Sequence, residues 1–111
     1  MKYLLLIGGA DDAMDATSEE ICGEPEVRAW VEELERAGRY HGGELLRPAE
    51  EAATVRVRDG ETLIADGPFA ETKEQVGGYS VIECDSMAEA LACAARHPVA
   101  RFGMIEVRPI L

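Results

Sequence analysis

The chain has 111 residues with 22 Asp and Glu against 11 Lys and Arg, a net charge of −11. A length of this order supports one domain, spanning residues 1–111, that buries roughly two-thirds of the surface its unfolded form exposes. With no cluster of Lys or Arg to displace counterions, nucleic acid is excluded as a partner; with no apolar run near ~20 residues, so is a membrane-spanning helix.

Residues 2–8 form a first strand, ended by Gly8-Gly9. Tyr3 to Ile7 is apolar at every position, which predicts cover on both faces. The run is too short for a signal-peptide core and no small-residue cleavage pattern follows it, so the expected location is the cytoplasm. Residues 11–24 are acidic, weakly patterned and read as a surface loop. Pro25 suits the first position of a helix because its missing N–H would be unpaired there anyway. Val27, Trp30, Val31 and Leu34 fall at i, i+3, i+4 and i+7, one apolar stripe, and Gly38 stops a helix that runs to Ala37. Tyr40 to Leu46 then reads as a second strand, closed by Arg47-Pro48.

The segment Val55-Arg56-Val57-Arg58, Asp59-Gly60, Glu61-Thr62-Leu63-Ile64 predicts a two-residue hairpin with a type I′ turn. Counting outward pairs Arg58 with Glu61, Val57 with Thr62, Arg56 with Leu63 and Val55 with Ile64. Gly78 to Cys84 is the next core strand. Ser86-Met87-Ala88-Glu89 is a capping box that opens a second helix, continuing to Arg96 with Met87, Ala90, Leu91 and Ala94 on its buried side. Pro98 prevents its continuation. Phe102 to Arg108 is the last strand, with Pro109 at a position that an edge strand tolerates. Cys22, Cys84 and Cys93 are odd in number and lack C-x-x-C spacing, so they read as free thiols of a reducing compartment.

The order strand, helix, strand, hairpin, strand, helix, strand predicts an α+β protein. Its core is a ferredoxin-like βαββαβ antiparallel sheet, with the hairpin as an insertion and both helices on one side. The first strand is nonetheless apolar on both faces, and Tyr79 and Val81 lie opposite Ile82 and Cys84. One chain has nothing left to cover the second face, so a homodimer is expected.

The run Asp66-Gly67-Pro68-Phe69-Ala70-Glu71-Thr72-Lys73-Glu74-Gln75, followed by Gly77-Gly78-Tyr79, resembles the signature of the DGPF (YCII-related) family. Met1 to Ile7, Gly42-Gly43-Glu44-Leu45, Val55 to Gly60 and Glu106 to Ile110 fit the same pattern. The resemblance implies the dimeric α/β-barrel form of the ferredoxin-like fold. It also implies association with extracytoplasmic-function sigma factors, beside which members are often encoded. The histidine–aspartate pair proposed for YCII relatives finds no aligned counterpart, and residues 9–24 are a shortened, acidic departure.

Four residues are the candidate catalytic set: His41, Asp66, Lys73 and Tyr79. The polar loop after Asp66 brings Glu71, Lys73 and Glu74 near one another, where a carboxylate and an ammonium could orient a small ligand. Asp66 capping a turn and Phe69 plugging an edge is the plainer reading of the same residues. His41 precedes Gly42-Gly43, whose missing side chains let something approach the backbone. His97 reads as structural, a cation suited to the helix dipole. Glu106 and Arg108 share a strand face with Met104. No metal is expected from two distant histidines, and no cofactor from a chain without P-loop, nucleophile elbow or dinucleotide fingerprint. Two functions stay open: binding or transforming a small polar molecule in a pocket at the dimer interface, or a non-catalytic regulatory module acting with a sigma factor.

Overall fold

The first strand, β1, runs Lys2–Ala10, past the glycines expected to end it. Gly8 lies so close to a neighbouring strand that a Cβ there would sit 1.9 Å from the Gln75 carbonyl oxygen, and the pairing slips by one residue between Ile7 and Gly8. Glycine here admits a bulge, and the ladder continues through it. The computed structural model describes residues 1–10, 25–68 and 74–111, so the acidic segment and Phe69 to Lys73 lie outside the described residues.

Helix α1 is Pro25–Arg36, with Val27, Trp30 and Leu34 buried as the stripe predicts. Gly38, at φ +71°, turns the chain out of it. The Arg39 N–H reaches back to the Leu34 carbonyl at 2.9 Å and the Gly38 N–H to Glu35 at 3.0 Å, the paired bonds of a Schellman stop. Then follow β2 (Tyr40–Leu45), β3 (Ala53–Arg58), β4 (Glu61–Asp66), β5 (Glu74–Glu83), α2 (Met87–Ala95) and β6 (Met104–Pro109). β5 starts four residues earlier than expected because its first residues pair with the extension of β1.

Four strands form an antiparallel sheet in the order β2-β5-β1-β6, compatible with the ferredoxin-like arrangement. Pro109 ends β6, an edge strand, where its missing N–H costs no ladder bond. One sheet face supplies Tyr3, Leu5, Ile82 and Cys84 to a core with Trp30 and Leu34 of α1 and Ala90, Cys93 and Ala94 of α2. Both helices therefore lie on that face. The buried side of α2 differs from the expectation at one residue. Leu91 is 52% exposed and Cys93 only 4%. Eight of the nine residues of α2 are Met, Leu, Cys or Ala, apolar nearly all round, so periodicity left its inward direction undecided.

The other face carries Leu4, Leu6, Tyr79, Val81 and Met104, all half-buried, with Leu4 opposite Val81 and Leu6 opposite Tyr79. No described element covers it. β3 and β4 form a separate two-stranded sheet in the expected register, turned by Asp59 (φ +53°) and Gly60 (φ +79°). Bonds from the Gly67 N–H to the Ala52 carbonyl and from the Thr54 hydroxyl to the Gly67 carbonyl close its base. Its apolar residues Val55, Val57 and Ile64 remain exposed.

Candidate functional site

Local backbone geometry decides where His41 points. The β2–β5 pairing is irregular between Tyr40 and Gly43, and Gly42 sits at φ +103°, which a side chain would strain. A Cβ on Gly43 would lie 2.3 Å from the Tyr79 carbonyl oxygen. The partner for which these glycines clear space is thus the backbone of β5. His41 meets Glu83 across the two strands, its Nε2 lying 2.9 Å from Oε1. Both are on the bare side of the sheet, since their strand neighbours Tyr40 and Ile82 pack on the helix side.

Of the four residues picked from the sequence, His41 and Tyr79 share this face on adjacent strands. Tyr79 stands opposite Glu44. Asp66 ends β4 in the other sheet and is exposed. Lys73 lies outside the described residues. Glu83 was missed as a partner of His41. Alternation along β5 puts it on the face of Tyr79, but its contact requires knowing that β2 is the neighbour of β5. On the opposite edge of the face, Glu106 and Arg108 pair with each other. Among the described residues no group of three or more His, Cys, Asp or Glu could hold a metal ion.

A cavity of about 300 Å³ opens on the other side of the sheet, beneath α1. Its apolar walls include Val27, Trp30 and Val31 of the helix, and Tyr40, Ser80 and His97 supply polar groups. Trp30 is fixed by its indole N–H, which donates to the Cys93 carbonyl at 3.0 Å. The imidazole of His97 stands edge-on to Trp30, ring centres 4.8 Å apart.

His97 does not act as the expected cation at a helix end. It is buried, and its Nδ1 accepts the Val99 N–H at 3.1 Å, capping the short 3₁₀ turn Pro98–Arg101. Desolvation lowers its pKa to about 4, so the ring is neutral at physiological pH. The thiol of Cys93 is likewise buried, and desolvation raises its pKa, the reverse of what a reactive cysteine needs.

The profile of the YCII-related domain matches residues 1–111. The chain belongs to the YCII-related family. An uncharacterised protein of Rhizobium meliloti (strain 1021) is 46% identical over 76 residues, which cover 67% of this chain and 61% of that protein. The matched part of the YCII-related chain thus spans less than two-thirds of that relative. No helix among its described residues is long and apolar enough to cross a membrane.

Proposed function

We propose that this YCII-related protein is a homodimer joined through the bare sheet face, in the manner of a dimeric α/β barrel. It binds a small polar molecule beside the His41–Glu83 pair. The observation that carries this reading is the 2.9 Å contact of a histidine and a carboxylate at the margin of an uncovered apolar surface. A carboxylate on Nε2 fixes the imidazole and leaves Nδ1 to take or give a proton. Tyr79 adds a hydroxyl on the same face. Covering Leu4, Leu6 and Val81 supplies the driving force for association, and partial burial strengthens the polar contacts at its margin.

Sedimentation at micromolar concentration and an NMR titration with a set of small polar metabolites test the two parts together. A dimer is expected, Leu6→Glu becomes a folded monomer, and binding shifts the amides of His41, Tyr79 and Glu83. A stable wild-type monomer, or shifts confined to other elements, overturns the reading. The regulatory alternative rests on the exposed strip Val55, Val57 and Ile64 of the hairpin, a surface suited to a protein partner. It requires an extracytoplasmic-function sigma factor to co-purify from the native host, and a hairpin variant with Ile64→Lys to lose it.

A further inference from the structure

The cavity beneath α1 is built differently from the bare face, and its contents specify a different ligand. At about 300 Å³ it reaches the lower bound of small-molecule sites and holds on the order of ten non-hydrogen atoms. Two of its polar groups meet at one end. An ideal Cβ on Gly43 would lie 2.9 Å from both the Ser80 and the Tyr40 hydroxyl oxygens, so these two hydroxyls flank the same small space.

The third polar group has a fixed polarity. The Nδ1 atom of His97 is occupied as an acceptor by the Val99 N–H. In the neutral ring the proton must therefore sit on Nε2, making that atom a donor without charge. Among the described residues no acceptor is hydrogen-bonded to it, and no buried side-chain polar atom lacks a partner. The ring lines the cavity, and Nε2 is the donor it can offer to a ligand there. Among the described residues that line it the one carboxylate is Glu44 at the rim, and no Lys or Arg is among them, which disfavours an anion.

We propose that this cavity binds a compact, uncharged, mainly apolar carbonyl compound that packs against Trp30 and accepts a hydrogen bond from His97 Nε2. The site is separate from the His41–Glu83 pair, which faces the opposite side of the sheet.

The probe is acetophenone, compared with its isostere α-methylstyrene and with benzoate. The readout is the indole N–H signal of Trp30, the one tryptophan of the chain, in ¹H–¹⁵N NMR. Acetophenone is expected to shift this signal saturably, together with the amides of Ser80 and Val99. α-Methylstyrene, lacking the acceptor, should bind about five-fold more weakly, and benzoate more weakly than acetophenone. Val31→Phe, filling the cavity from a half-buried position on α1, should remove binding without lowering the melting temperature. His97→Asn retains an acceptor for the Val99 N–H, while its shorter amide N–H falls short of the Nε2 position and withdraws the donor from the ligand. It should bring acetophenone down to the level of α-methylstyrene. Absence of a saturable Trp30 shift overturns the proposal. So do equal affinities for the ketone and the alkene in the wild type, or a preference unchanged in His97→Asn.

Discussion

The two histidines show how far environment separates identical side chains. His41 is exposed and paired with a carboxylate, whereas His97 is enclosed, uncharged and spent on a backbone N–H. Because burial holds the folded-state pKa of His97 near 4, below the ordinary 6.5, the unfolded chain binds a proton across that window that the folded chain does not. Stability is therefore complete above pH 6.5 and falls as pH drops toward 4, by about 3 kcal/mol from this group. Urea unfolding of wild type and His97→Asn at pH 7 and pH 4.5 separates it from the carboxylates. The variant should lose less stability on acidification, and equal losses would assign the slope elsewhere. Cys93, with its raised pKa and buried position, should resist iodoacetamide in the native protein and react only in denaturant, as mass spectrometry of its peptide would reveal. The sequence placed His97 at a helix end but not in its role. That role depends on Trp30 arriving from a helix more than sixty residues earlier and on the 3₁₀ turn folding back beneath it. His41 and Tyr79 were legible as candidates. The cavity was not, because its walls come from strands and helices scattered along the chain.

At the level of the element, local chemistry was readable and orientation was not. The hairpin register followed from Asp59-Gly60 alone, because a two-residue turn with both φ values positive leaves one way to pair the flanking strands. The capping box formed with a variation. The Ser86 hydroxyl accepts the Glu89 N–H at 3.2 Å, while the Glu89 carboxylate receives the N–H of Asp85 rather than that of Ser86. Ser86→Ala should cost about 1 kcal/mol in chemical denaturation. The inward face of α2 was misread at Leu91, and mutation provides a direct contrast. Leu91→Ala, at a half-exposed site in a helix that favours alanine, should change stability by less than about 0.5 kcal/mol. Leu5→Ala, at a site with no exposure, should lose about 3 kcal/mol. Similar costs for the two would mean that α2 packs with Leu91 inward after all.

For the whole molecule, charge and greasy surface oppose each other. Each chain carries −11, so the proposed pairing brings together two like-charged bodies. Screening should ease that repulsion, and the dimer dissociation constant should fall as salt rises from about 0.05 M to about 0.5 M. Sedimentation equilibrium would measure it; weakening by salt would point to an interface held by ion pairs instead. The α+β class and the order of the elements were legible because strands and helices alternate simply along the chain. The site face was only half legible, since Glu83 and His41 become neighbours through sheet order and not through sequence spacing.

The strand order has one more consequence. β1 is flanked by β5 and β6, and β5 by β1 and β2, so neither half of the chain owns a ladder of the four-stranded sheet by itself. A polypeptide emerging from the ribosome can coil α1 early, yet β1 finds no bonding neighbour until residues beyond 74 have left the exit tunnel. Its inner-side grease must wait, exposed, for most of synthesis, and the domain should lock in a single late step that cutting the gene at any midpoint would forbid.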